Sequence, residues 1–145
     1  MVCNMCIDKG TIPQGISPED KRRREQIIID FYRKWADENP TRKVYNLNLR
    51  DYINVRFISV DETAHHASKT YLSTLAVLQL SAILTCAKKV RVGKPRSRTN
   101  QQQFQAMIEM VHECPGVGLV RLMVGVRRKS LLKIQYCITA VTVDE

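Results

Sequence analysis

The spacing of the apolar residues changes for good at Phe104, and that change constrains the fold more than any other feature. In the two helical segments before residue 104 apolar side chains recur at spacings of three and four, the repeat of a helix face. From Phe104 onward they alternate at period 2, the repeat of a half-buried strand. Segments 106–114, 119–127 and 132–143 read as three strands. Pro115-Gly116 makes the first turn and 128–131 the second. Connections this short make an antiparallel meander. On the middle strand Val120, Leu122, Val124 and Val126 share one face, while Arg121 and Arg127 lie on the other with Gly125 between them. On the last strand Ile134, Tyr136, Ile138 and Ala140 alternate with Lys133, Gln135, Cys137 and Thr139. The first strand is the least distinct of the three, because 101–112 also fits a helix.

Upstream, residues 1–16 show no periodicity and read as an irregular arm. Ser17 is a helix cap, Pro18 suits the first helical position, and Glu19 and Asp20 suit the positive end of the helix dipole. Ile27, Ile28, Ile29, Phe31 and Trp35 form the stripe of this helix, and Asn39-Pro40 ends it. A short extended segment over 43–49 and an alternating strand over 52–58 follow. Asp61 then reads as the N-cap of a second helix, with Glu62 in its first turn. Ala64, Ala67, Tyr71, Leu75, Leu78, Ala82 and Thr85 give the stripe, and Leu72, Val77, Leu80, Ile83 and Leu84 widen it most of the way round. A helix like that is central. The expected architecture is a single α+β domain over 17–145. In it a long central helix and the N-terminal helix pack on an antiparallel sheet of about four strands.

A chain of 145 residues supports one core and buries about 70% of its unfolded surface. The longest apolar stretch, 71–87, is interrupted by Ser73, Thr74, Gln79, Ser81 and Thr85. A membrane span needs roughly 20 mostly apolar residues, so this stretch reads as a buried helix and no membrane partner is expected. The N-terminus has no basic region followed by an apolar run. The five cysteines, Cys3, Cys6, Cys86, Cys114 and Cys137, are odd in number. With no export signal they read as reduced thiols of a cytoplasmic protein.

The net charge of +9 lies almost wholly in the second half. Residues 1–62 carry 11 Lys/Arg against 10 Asp/Glu, and residues 63–145 carry 12 against 4. Such asymmetry points to a polyanionic partner, most simply nucleic acid. The candidate contacts are Lys88, Lys89, Arg91, Lys94, Arg96 and Arg98 in a basic loop or strand-plus-loop, with Arg121, Arg127, Arg128, Lys129 and Lys133 further on. Neither cluster contains an acid within its own segment. The bland reading is a solvated charged face. Nearby aromatics are few, Phe104 and Tyr136, which argues against a single-strand stacking platform.

Two constellations suggest chemistry. Glu62, His66, Thr70 and Ser73 fall on one face of the expected second helix, near its N-terminus, where phosphate binds well. His65 or His66 has the right range to move a proton near neutral pH. Alternatively these are only the exposed first turns of a helix that is buried further on. The polar set Lys133, Gln135, Cys137 and Thr139, opposite a His-bearing helix, fits a ribonuclease cleft in which cations stabilise a pentavalent phosphate. Equally, that face simply meets solvent. Cys3-x-x-Cys6 can be half a zinc site or a redox pair, but two incidental thiols on a tail are the simpler reading, and no metal or cofactor is expected. Walker, GxGxxG, GxSxG, HExxH and EF-hand motifs are missing.

The order of helix, His-bearing helix, basic loop and meander ending in Gln135-Tyr136-Cys137-Ile138-Thr139, together with Glu62-Thr63-Ala64-His65-His66-Ala67-Ser68, resembles a known group. These are the small barnase/EndoU/RelE-like domains of phage and conjugative-element polyvalent proteins. The resemblance covers 44–142. It implies an α+β fold with metal-independent RNA cleavage, or an inactive RNA-binding relative. It implies His65 or His66 as general acid/base and Arg96, Arg98, Lys133 and Thr139 as phosphate contacts. The partner it implies is nucleic acid, RNA ahead of DNA. Two rivals stand beside it. One is an interaction module whose basic face meets an acidic protein or its own dimer partner. The other is a small-molecule enzyme using His66.

Overall fold

The computed structural model describes residues 11–97 and 99–141. Among them are four α-helices and one six-stranded mixed sheet, an α+β fold. α1 (Pro18–Glu38) begins where its cap residue stands: the Asp20 amide donates to Ser17 Oγ at 3.1 Å. It buries Ile27, Ile28, Phe31, Tyr32 and Trp35 and stops at Asn39. Ile12, ahead of the helix, packs on Ile27 and Leu75. The buried Arg24 guanidinium donates to the carbonyls of Pro13, Gly15 and Ser68.

β1 (Lys43–Asn46) and β2 (Asp51–Asn54) form a hairpin. The expected strand over 52–58 ends at Asn54, because the chain turns into α2 (Phe57–Ala67). Ser59 Oγ accepts from the Arg56 amide at 2.9 Å and fixes that start. Asp61 is therefore inside a helix and caps nothing.

The single long helix does not exist. α2 is followed by α3 (Tyr71–Val77) and α4 (Leu80–Cys86). Thr70 makes the first break: its Oγ1 accepts from the Ser73 amide at 3.1 Å and caps α3. Thr74 Oγ1 donates back to the Ala67 and Thr70 carbonyls. The second break falls at Gln79, whose backbone leaves the helical region (ψ 27). Three short helices can each turn an apolar side inward, so a stripe too wide for one helix is shared among them. Ala82 and Leu72 stay exposed. No helix among the described residues is long and apolar enough to cross a membrane.

β3 (Lys88–Gly93), β4 (Phe104–Cys114), β5 (Gly118–Arg127) and β6 (Lys133–Ala140) complete the sheet, in the order β1-β2-β6-β5-β4-β3. A 3-10 helix, Asn100–Gln103, sits between β3 and β4. β4, β5 and β6 are the expected antiparallel meander. The sheet as a whole is not antiparallel, because β2 pairs with β6 in parallel at Ile53/Lys133 and Asn54/Ile134. Val120, Leu122 and Val124 of β5 face the helices and share a core with Ile28, Trp35, Leu80, Ile83 and Leu84.

One bulge changes the face of a key residue. Met123 pairs with Cys137 but Val124 pairs with Gln135, which leaves Tyr136 as the extra residue. A bulge of this kind breaks the period-2 alternation. Gln135 therefore joins the helix-facing side, fully buried, and is not part of a polar outer face. Its side chain accepts from Tyr32 Oη at 2.9 Å and donates to Thr63 Oγ1 at 2.8 Å. Tyr136 packs on the other side with Phe104, Met107 and Ile134.

Candidate nucleic-acid interface

The basic residues come from strand ends and turns, so the sheet topology decides which of them meet. At one rim lie the start of β6, the end of β5, the start of β4 and the end of β3. This gathers Lys133, Arg127, Arg128, Lys129 and Lys94. The turn 128–131 is tight: Lys129 and Leu131 both have positive φ, 65 and 60. The Arg128 guanidinium donates to the Gln102 carbonyl at 3.2 Å and ties that turn to the 3-10 helix. Lys133 is partly spoken for, since its ammonium bonds Asp51 Oδ2 at 2.7 Å. That bond holds the Asp51 carboxyl below its ordinary range.

Lys88 and Lys89 start β3, whose six residues are all exposed. The Lys89 amide donates to Asn48 Oδ1 at 2.8 Å, which sets the start of β3 beside the β1–β2 turn. Asn46, fully buried, donates to the Leu84 and Ala87 carbonyls and holds the same junction from within.

The hairpin that meets both basic segments carries a feature that sequence reasoning missed. Tyr45 and Tyr52 are cross-strand partners on β1 and β2, their rings 5.3 Å apart and edge to face. They are 43% and 44% exposed. Lys43 Nζ lies 4.6 Å from the Tyr52 ring centroid, a cation–π contact. Since Ile53 is in register with Lys133, Tyr52 stands at the level of Leu132 and the basic turn. The available signal was alternation: Tyr45 and Tyr52 fall out of phase with Val44, half-buried, and Ile53, fully buried. Nothing local connects them to cations that lie far along the chain.

The clusters are not free of acid in space. Glu109 on β4 accepts from Arg91 Nη2 at 2.5 Å and from Arg121 Nε at 3.2 Å. Burial raises the Glu109 carboxyl's affinity for a proton, but the two arginines outweigh it and hold the group below its ordinary range. Arg91 and Arg121 are thus mutually bridged, and Arg121 stands by Thr139, its cross-strand partner. Arg96 anchors its segment through its backbone amide, which donates to Gln101 Oε1. Arg98 lies outside the described residues, as do Cys3 and Cys6.

The residues expected to carry chemistry sit elsewhere. His65 and His66 are in the last turn of α2, the negative end of the helix, not the first turns of one. Glu62 and His66 do share a face, at 3.4 Å, while Thr70 caps α3 instead of continuing it. Partial burial lowers the His66 pKa, and the Glu62 carboxylate opposes that only in part. The His65 and His66 rings touch edge to face at 4.9 Å. α2 and α3 run beside β6: Ser59 Oγ of α2 donates to the Gln135 carbonyl, and Ser73 Oγ of α3 accepts from the Ala140 amide. Lys133 and Thr139 are at opposite ends of β6, about 20 Å apart at ~3.3 Å per residue. No one phosphate meets both.

The 3-10 helix Asn100–Gln103 is tied both to β6 and to α2. Tyr136 Oη bonds Asn100, which in turn donates to Glu62 Oε2 at 2.6 Å. Burial pushes the Cys137 thiol up to about 12, with Glu62 adding to the rise. A thiol held protonated is a poor nucleophile. Comparison with family models, with curated proteins and with solved structures finds no match.

Proposed function

We propose that this chain binds nucleic acid, with single-stranded RNA as the preferred form, across the Tyr45–Tyr52 pair and the two basic segments that flank it. One observation carries the reading: the hairpin that bears two half-exposed tyrosines meets the start of β3 at Asn48 and Lys89 and pairs with β6 at Lys133. Cations neutralise phosphates and release counterions, while aromatic faces stack bases without regard to sequence. That combination suits a flexible single strand, whose bases are free to leave their own stack. The preference for RNA, the association with a mobile element and an RNase-like descent rest on the resemblance alone. A cytoplasmic setting fits the free thiols Cys86, Cys114 and Cys137.

The test is binding of labelled single- and double-stranded RNA and DNA at low and moderate salt, with Tyr45→Ala/Tyr52→Ala, Lys88→Ala/Lys89→Ala and His65→Ala/His66→Ala variants. Loss of the tyrosines lowers single-strand affinity by roughly tenfold or more, as base stacking is worth ~1–3 kcal/mol per base. Loss of the lysines flattens the salt slope by about 0.7 per phosphate contact removed. Wild-type affinity and slope in both variants would overturn the reading. Cleavage abolished by the histidine double variant would add ribonuclease activity to it.

A second reading has its own observation. β3 is an edge strand with every residue exposed, Val90 and Val92 among them. An unpaired edge accepts a further strand, so it suits an acidic partner protein or a second copy of this chain. Salt-insensitive self-association without RNA binding would favour it.

A further inference from the structure

A cavity of about 430 Å³ opens between the second half of α1 and the segment 55–60 that leads into α2. None of His65, His66, Thr139 or the expected phosphate-contacting cations lines it. Its volume falls in the ~300–1,000 Å³ range of small-molecule sites. Its charged lining is Arg33, Arg42, Arg56 and Asp37, a net charge of +2 if all four are ionised. Arg33 keeps a loose contact with Asp30 at 3.6 Å, exposed on both sides. Arg42 and Arg56 have no carboxylate within ion-pair distance among the described residues.

The backbone fixes where these arginines stand. Arg42 occupies the left-handed region (φ 52), uncommon for a residue with a side chain. Two hydrogen bonds hold it there: its amide donates to the Asn39 carbonyl at 2.8 Å, and its carbonyl accepts from the Val55 amide at 2.8 Å. The second bond ties Arg42 to the residue just before Arg56, so both guanidinium stems spring from one junction. The remaining wall is apolar and includes the buried ring of Tyr32 and the ring of Phe57, 83% exposed. A large aromatic side chain left in water beside three arginines has no role in the core.

We propose that this cavity binds a nucleoside phosphomonoester. A phosphomonoester carries about −1.5 to −2 at neutral pH, which matches the charge of the lining. Guanidinium groups present forked donors suited to its oxygens. Phe57 and the apolar wall take the planar base. The phosphomonoester is either a free mononucleotide or the phosphorylated end of an oligonucleotide. The site is separate from the tyrosine platform and does not depend on it.

Calorimetric titration of the full chain with adenosine monophosphate, adenosine and inorganic phosphate tests the assignment. Arg42→Gln/Arg56→Gln, Phe57→Ala and Lys88→Ala/Lys89→Ala variants are titrated alongside. Both exchanged arginines are exposed, so their removal leaves the core intact. The expected result is saturable binding of the monophosphate, weakened tenfold or more by the arginine pair and by Phe57→Ala, and unchanged by the lysine pair. Absence of binding, or affinity unchanged in the arginine variant, overturns the site. Adenosine binding as tightly as its monophosphate overturns the role of the charge, and phosphate alone binding as tightly overturns the role of Phe57. Short oligonucleotides with a 5′-phosphate or a 5′-hydroxyl, titrated into the Tyr45→Ala/Tyr52→Ala variant, identify the source. A preference for the phosphorylated end assigns the cavity to strand ends, and indifference assigns it to free nucleotides.

Discussion

Gln135 and Glu109 show how much of this protein turns on single side chains whose partners lie far off in sequence. Gln135 is fully buried and bonded to Tyr32 and Thr63. Tyr32→Phe removes the hydroxyl and leaves Gln135 Oε1 without a donor. The expected cost is about 1–3 kcal/mol, measured as a shift of the urea midpoint at constant slope. Glu109 and Asp51 both have carboxyl pKa values lowered in the folded state. The unfolded chain binds the proton more readily, so their stabilisation is complete above the ordinary carboxylate range, near pH 4. It is lost as pH falls through the lowered folded values. Denaturation followed against pH shows this acid loss in the wild type, and Glu109→Gln/Asp51→Asn flattens it. His66 follows the same sign, since its folded pKa is also lowered. An NMR titration of its ring places the midpoint below the ordinary value of about 6.5. A midpoint above it would mean that Glu62 outweighs burial.

At the scale of elements, caps and close approaches decide where helices and strands begin and how they meet. Ser17→Ala removes the side-chain acceptor for the Asp20 amide and costs about 1 kcal/mol by thermal denaturation. Gly125 lies under the Phe104 ring, and a Cβ there would stand 2.5 Å from it. Gly125→Ala therefore drives Phe104 off the strand at a cost of about 1–3 kcal/mol. An unchanged melting temperature would show that the ring moves freely. The breaks at Thr70 and Gln79 were hidden in the sequence because an apolar stripe runs on through both. Thr70 reads as one more polar position of a helix until its hydroxyl is seen to cap the next one. The N-terminal helix was legible because Ser17, Pro18 and Asn39-Pro40 are local signals that need no partner.

For the molecule as a whole, charge and fold must be separated when function is tested. Leu80→Ala serves as the folding control, because Leu80 is fully buried whereas Leu78 is only partly so. It costs about 2–5 kcal/mol and leaves the salt slope of RNA binding unchanged. Glu109→Gln does the reverse for binding. It frees Arg91 and Arg121 from their shared carboxylate and raises RNA affinity at low salt more than at high salt, as filter binding at two salt concentrations measures. Equal gains at both salts would mean that those arginines stay out of reach of the phosphates.

The sequence by itself determined the α+β class, the three-strand meander, the bounds of the first helix and the one-sided distribution of charge. Each follows from local periodicity, local caps or composition, which a linear reading sees in full. Tertiary structure alone decided which cations meet. It placed Glu109 between Arg91 and Arg121, turned Gln135 inward through one bulge and brought the Tyr45–Tyr52 hairpin against Lys89 and beside Lys133. It also separated His66 from the N-terminus of any helix and set Arg42 and Arg56 side by side on the wall of one cavity. These are relations between strand ends and helix ends, fixed by sheet order and register, and neither quantity is carried by neighbouring residues in the chain.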